Sequence, residues 1–466
     1  MLVKSASLLE GFSCYGFWFL PGAQEPAAGI LTFKPEESLR LELLSLNSSE
    51  FVTREASEGI LITGFTNTNR CFYLVDSKLV KGHVLGASGP SRTVGTYWPK
   101  YVVETNSVVT QWESSKSILM SKMSMSFDNL NAWLNPMPIL SSRPGSRSVT
   151  QMLKRPKESE YCVDDEGTML KFSARYSSLT DRDNPSVPTG ALTTIPLLMV
   201  TPTAPKEIEW FRAYFKKLQH MLVVLMGAAT NINHAEGVVE IGTTRRPFLV
   251  YWKQSINVKR DTPIATQDML VRYSDFRRRK IKVASWLANY DEIEEQIDLI
   301  VETILSPGMY REFRWLMLTQ AIESFHRKTI GGSYMETETY LETVAREIKG
   351  SIPSNLPRDH RESLKSKIDF GYEYSMNRRL KDFLSALPNG LVDRLLQKLG
   401  GIERKVFTNR VKETRNYYTH YDQAMDKLSD SEQDEYSVVL KQLMLAHLMK
   451  HMGFTDRELH KAFFPN

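Results

Sequence analysis

The sequence predicts an α+β, multidomain protein. Its amino-terminal half reads as antiparallel and β-rich, sandwich- or barrel-like with an inserted helix, and its carboxy-terminal half as an all-α bundle. Three observations carry this reading. The chain has 466 residues, more than one hydrophobic core accommodates, so two or three domains are expected. Through the first part, apolar residues alternate with period two between Gly, Asn and Pro punctuation. From about Tyr290 the pattern changes to helical periodicity. These shifts predict a β-rich domain over residues 1–285 and a helical domain over 286–466.

In the first domain, Gly29-Ile-Leu-Thr-Phe33 and Leu39-Arg-Leu-Glu-Leu43 alternate as half-buried strands, with a turn at Lys34-Pro-Glu-Glu. Runs at 59–64 and 71–75 follow, joined at Asn67-Thr-Asn-Arg as a hairpin. Further strands are expected over 101–112, 117–127 and 169–176. The tryptophans Trp18, Trp98, Trp112 and Trp133 are expected in the core. Pro205-Lys-Glu-Ile-Glu-Trp opens a helix with the acidic first turn that the dipole favours, running to about Gly227. Strands return at 238–241 and 247–252. Arg277-Arg-Arg-Lys280 reads as a solvated junction.

In the second domain, helices are expected over 294–305, 309–327, 336–349, 361–370, 377–386, 391–399, 405–427 and 431–452. Thr455 caps a last turn. Gly331-Gly, Ser351-Ile-Pro and Pro388-Asn-Gly separate some of them.

Composition excludes several classes. Hydrophobic residues at 42% and charged residues at 24% are ordinary for a soluble protein, and a formal charge of +5 permits a local nucleic-acid surface without requiring one. Cys14, Cys71 and Cys162 lie far apart, which argues for a reducing compartment and against a disulfide framework or zinc knuckle. Glu10 interrupts any signal-peptide core, and the apolar stretch 221–229 is far shorter than the roughly 20 residues that span a bilayer. A cytoplasmic protein with no membrane contact is expected. No phosphate loop or dinucleotide fingerprint is present, and Gly86-Ala-Ser-Gly-Pro90 lacks the strand–Ser–helix context of a nucleophile elbow. His447 and His451 stand one turn apart, but no accompanying carboxylate pattern makes them a metal pair. No metal and no cofactor are expected.

Arg415-Asn-Tyr-Tyr-Thr-His420 carries the chemistry. A guanidinium that never loses its charge can hold a phosphate, and an imidazole titrating near neutrality can move a proton. With the ribose 2′-OH as nucleophile, these two groups suffice to cleave RNA. None of the other histidines, of nine in all, has an Arg five to seven residues before it. At about 100° per residue, Asn416 and His420 share a helix face, while Arg415 lies about 140° from His420. A long Arg can reach around, the helix can be irregular, or a second chain can complete the site across a two-fold axis. Arg404, Lys405, Arg410 and Lys412 precede the motif and would attract a polyanion. Tyr417, Tyr418 and Tyr421 can pack inside or stack on an unpaired base.

The run Lys412-Glu-Thr-Arg-Asn-Tyr-Tyr-Thr-His-Tyr-Asp422 resembles the signature of HEPN ribonucleases: Arg, a polar residue, a short spacer and His. The helix from Phe313 to His326 resembles the first helix of the ApeA-like branch. Gly16-Phe-Trp-Phe-Leu-Pro21, 29–33 and 41–43 are similar to the start of the ApeA amino-terminal domain. The resemblance implies a metal-independent endoribonuclease toxin of bacterial abortive infection, acting on RNA such as a transfer-RNA anticodon loop. It also implies a homodimer formed through the helical domain, and an amino-terminal half that senses a phage trigger. Arg415 would bind the scissile phosphate, His420 would serve as base or acid, and Asn416 would orient His420 or the phosphate. Glu323 would hold Arg415, or else simply pair with Arg327 one turn on. Arg410, Lys412, Tyr417 and Tyr421 would contact substrate. His326 ends that helix, where a histidine is commonly exposed. A non-catalytic bundle that binds RNA or a ligand as a scaffold is the alternative.

Overall fold

The computed structural model describes residues 7–21, 25–37, 39–47, 59–66, 70–85, 92–105, 118–134, 159–178, 192–241, 243–254, 264–420 and 426–465. Its contacts divide the chain into two compact units, Met1–Leu287 and Ala288–Asn466.

The first unit is built on β1 (Phe12–Phe19), β2 (Ala27–Phe33), β3 (Arg40–Asn47), β4 (Ile60–Thr66), β5 (Cys71–Leu85) and β6 (Arg92–Thr105). They pair antiparallel in the order β3-β2-β1-β4-β5-β6. A further pairing of β3 with β6, Leu41 opposite Tyr97 and Leu43 opposite Gly95, closes them into a barrel. The sequence left sandwich and barrel open; this pairing makes it a barrel. The period-two alternation explains the interior: Leu31, Phe33, Leu41, Leu43, Ile62 and Leu74 all point inward and are buried.

Strand β6 serves two sheets. Its first half closes the barrel on β3, and its second half, at Val102–Glu104, pairs with β12 (Thr244–Tyr251). From there the sheet continues through β11 (Ile232–Ile241), β7 (Lys122–Phe127), β10 (Leu192–Thr201), β9 (Met169–Ser178) and β8 (Ser159–Cys162). The inserted helix is α2 (Ile208–Met226), ended by Gly227 in the left-handed conformation. Its buried Phe211, Phe215, Leu218 and Leu222 recur at helical spacing, and Phe215 meets Phe127 of β7. The short α1 (Leu130–Leu134) places Trp133 in the core, its indole N–H donating to Val271 O at 2.7 Å.

Several local expectations change. Strand β7 starts at Lys122 rather than near 117, and the expected strand over 106–112 lies outside the described residues, with Trp112 and the loops at 67–69 and 86–90. Trp18 and Trp133 are core, but Trp98 is 45% exposed. Strand β10, not expected from the sequence, carries Pro196 opposite Ala174 of β9; its pairing with β7 covers only Leu198–Val200, so the missing N–H costs no ladder bond on the β7 side. Arg277, Arg278 and Lys280 are exposed, as a solvated run should be, whereas Arg279 starts α3 (Arg279–Asn289) and stacks on Tyr273 at 3.9 Å.

Gly64 stands opposite Trp18, where an added Cβ would come within 2.1 Å of the fully buried indole. Gly64→Ala is therefore expected to destabilise the barrel by about 1–3 kcal/mol through overpacking. Thermal unfolding of the full chain reads this, and an unshifted transition would mean that the indole yields.

The second unit contains α4 (Glu294–Leu305), α5 (Arg311–Thr329), α6 (Thr337–Tyr340), α7 (Arg346–Gly350), α8 (Arg358–Asp369), α9 (Met376–Ser385), α10 (Asn389–Gln397), α11 (Arg404–His420), α12 (Asp430–His451) and α13 (Asp456–Phe463). A π-helical turn, Leu341–Ala345, breaks the helix expected over 336–349. Helix α5 packs against α4, α9, α11 and α12. Its buried Trp315, Leu318, Thr319, Ile322, Phe325 and His326 repeat every three or four residues, which is the stripe a central helix requires.

Candidate active site

Helix α11 is α-helical from Arg404 to His420, so the motif sits on a regular helix and local irregularity does not bring Arg415 round to His420. Phe407, Val411, Thr414 and Tyr418 form the buried stripe of α11, with Thr408 also buried at its side. Measured from that stripe at 100° per residue, Arg415 and Tyr417 flank the core at about 70–90° on opposite sides, while Asn416 and His420 look away from it. The expected helix to 427 ends at His420 among the described residues, and 426–429 are not helical. The chain folds back there: Leu428 N donates to the buried Thr414 Oγ1 at 3.0 Å, and Ser429 caps α12 in a capping box with Glu432.

Arg415 faces α5. Its Nη2 lies 3.5 Å from Glu323 Oε2, and its Nη1 donates to Asn416 Oδ1 at 3.3 Å. Both alternatives raised for Glu323 are present at once, since its Oε1 accepts from Arg327 Nη2 at 3.2 Å. Glu323 is 14% exposed, so it lies at the border of the core. Arg415 keeps 29% of its side chain open to solvent, enough for an anion to reach it. Asn416 thus contacts the arginine rather than the histidine. His420 is exposed, with no hydrogen bond or ion pair found among the described residues.

The other sequence-derived contacts are engaged locally. Arg410 donates to Glu432 Oε1 at 2.7 Å, tying α11 to the start of α12, and Lys412 pairs with Glu413 at 2.7 Å. Backbone donors at Ser429 hold the Glu432 carboxyl below the usual carboxylate range, so it stays charged for Arg410. Lys427 lies over the Tyr417 ring at 4.9 Å. Tyr418 is core; its hydroxyl donates to Gln433 Oε1 at 2.8 Å, and burial raises its pKa. Tyr421 lies outside the described residues.

Two other histidines of this unit, His326 and His447, are buried. His326 is fully buried instead of exposed, because the end of α5 tucks beneath α9; its Nε2 is 3.6 Å from Asp382, and burial, then Arg379, lowers its pKa. His447 stacks on Phe383 at 3.8 Å and meets Phe383 O at 2.8 Å, and burial pushes its pKa down to about 3. Among the described residues no group of three or more His, Cys, Asp or Glu is placed to hold a metal, and no helix is long and apolar enough to cross a membrane.

Sequence reasoning missed what lies behind Glu323. Arg327 Nη2 is also ion-paired with Glu373 at 2.8 Å, and Glu373 is 3.3 Å from Arg379, whose side chain is 1% exposed. Glu373 lies between helices with no periodic pattern, and Arg379 is an unremarkable position in a polar helix, so no sequence signal marks either one.

Comparison with curated proteins and with solved structures gives no match. The family Apea-like HEPN matches residues 316–458, from α5 into α13, and the family ApeA N-terminal domain 1 matches residues 13–283, more than half of the chain. With the barrel-bearing unit under one family and the Arg415–His420 helix under the other, the chain belongs to the ApeA-like HEPN proteins.

Proposed function

We propose that this chain is a metal-independent endoribonuclease of anti-phage defence. The observation that carries the reading is Arg415: a guanidinium steadied by Glu323 and Asn416, still open to solvent, on the same helix as the exposed His420. Family membership supports it, since the matched family is Apea-like HEPN. Arg415 binds the scissile phosphate and offsets charge building in the transition state. His420 takes the proton of the 2′-OH or gives one to the leaving 5′-oxygen. The 2′-oxygen attacks phosphorus, the bond to the 5′-oxygen breaks, and the products are a 2′,3′-cyclic phosphate and a 5′-hydroxyl.

Because Arg415 and His420 point about 140° apart on a regular helix, a working site draws on two copies of α11 in a homodimer. The substrate is single-stranded RNA such as a transfer-RNA anticodon loop, whose bases splay readily into a site. The β-rich unit senses a phage trigger, and the protein works in the cytoplasm. One observation favours the scaffold reading instead: Arg410 and Lys412 already have carboxylate partners.

The test is expression of the wild type and His420→Ala in bacteria challenged with phage. The wild type is expected to arrest growth and leave RNA ends with cyclic phosphates. His420→Ala is expected to lower cleavage about 10²–10⁴-fold, the span of general acid–base catalysis. Equal cleavage by the variant, or none by the triggered wild type, rejects the ribonuclease reading in favour of the scaffold.

A further inference from the structure

We propose that Glu373 is a positioning residue for Arg415, acting through Arg327 and Glu323; the inference rests on the ribonuclease reading for its catalytic consequence, but not for its geometry. The four side chains that separate the motif from the core alternate in sign. Arg415 lies 3.5 Å from Glu323, Glu323 is 3.2 Å from Arg327, Arg327 is 2.8 Å from Glu373, and Glu373 is 3.3 Å from Arg379.

A single nitrogen decides the arrangement. Arg327 Nη2 donates to Glu323 and is ion-paired, more closely, with Glu373 at 2.8 Å. While Glu373 holds that nitrogen, Glu323 gives only Oε1 to Arg327 and keeps Oε2 for Arg415. Without the Glu373 charge, Arg327 has one carboxylate left, and the favoured geometry between a guanidinium and a carboxylate is bidentate. Glu323 would then turn both oxygens to Arg327, and Arg415 would lose the partner that aims it.

Glu373 is itself anchored. It sits where the excursion formed by α6, α7 and α8 returns to the bundle, opposite Ser333 in an isolated β-bridge. Tyr334 N donates to Tyr372 O at 2.7 Å and Tyr374 N to Gly332 O at 2.8 Å, which fastens the two ends of that excursion together. Arg379 locks the junction from inside, donating to Gly332 O at 3.2 Å and Tyr374 O at 3.1 Å. The backbone carrying Glu373 is therefore fixed, and its carboxylate serves as a stationary competitor for Arg327. The three guanidinium and two carboxylate groups carry one excess positive charge between them, and Arg415 and Arg327 are the two guanidiniums open to solvent.

The test uses the full chain and two readouts. In protein labelled with ¹⁵N-arginine, the Arg415 Nε–Hε signal is assigned by its loss in Arg415→Lys. Glu373→Gln is expected to shift and broaden that signal, and Glu373→Asp to restore it, while the backbone amides of α12 stay in place. In RNA cleavage, Glu373→Gln is expected to lower kcat about tenfold, with KM within twofold, as misplacement of a catalytic group does. An Arg415 signal unmoved by Glu373→Gln overturns the proposal. Full cleavage by Glu373→Gln against an active wild type also overturns it and leaves the ribonuclease reading standing. If the wild type cleaves nothing, the ribonuclease reading fails, and the Arg415 signal alone decides the positioning role.

Discussion

Arg415→Ala is expected to reduce RNA cleavage about 10²–10³-fold while leaving the fold intact, the loss typical of removing one donor that stabilises transition-state charge. The fold should survive because Glu323 retains Arg327 when Arg415 is gone, so no buried carboxylate is stranded. Lysine is expected to rescue little, since a point charge lacks the fork that meets Glu323 on one side and a phosphate on the other. Mixing chains tests the two-copy site directly. If one chain supplies Arg415 and the other His420, each mixed dimer of Arg415→Ala with His420→Ala keeps one intact site. Cleavage should then recover to about a quarter of wild type for random pairing in a two-fold dimer. No recovery above either variant alone would place both groups of each site on one chain.

Arg379→Ala is expected to be the most damaging change to the helical unit, costing about 3–5 kcal/mol, the range for removing one member of a buried ion pair. The guanidinium is 1% exposed, and burial already pulls its pKa below the ordinary arginine value. It remains charged because it donates to two carbonyls, Gly332 O and Tyr374 O, and faces Glu373. Alanine would leave those acceptors facing a void. Calorimetry of the full chain should show one transition falling by on the order of 10 °C, at about 2–4 °C per kcal/mol for a unit of this size. A shift under 2 °C would mean that water takes over the bonds. Arg379→Met, which fills the space without the donors, should recover only part of the loss.

Where pattern and physics coincide, the chain is readable from its letters. Helix α4 spans Glu294–Leu305 as its periodicity indicates, and the cap expected at Thr455 is a capping box that marks a real start. Alternation located β2 and β3, but their closure through β6 depends on a pairing across some fifty residues that no local pattern encodes. Arg415, Asn416 and His420 were legible because chemistry concentrated them in six residues. Glu323 was found by resemblance, and the geometry then gave it two partners in place of one. Glu373 and Arg379 were illegible for a physical reason: each matters through a three-dimensional neighbour, and neither occupies a position that helix or strand periodicity distinguishes.

The sharing of β6 between barrel and extended sheet bears on how the first unit avoids sticking to itself. A sheet of twelve strands laid out flat would expose two edges of unpaired backbone, each a template for another chain. Here β3, the strand at one end of the order, turns back onto β6 and so consumes its own edge. The other end is β8, a run of four residues, Ser159–Cys162, too short to seed a long ladder. Among the described residues, closing one end removes that edge altogether, and the other end leaves β8 and the stretch of β9 from Ser173 to Ser178, which β8 does not cover, as the backbone able to recruit a neighbour.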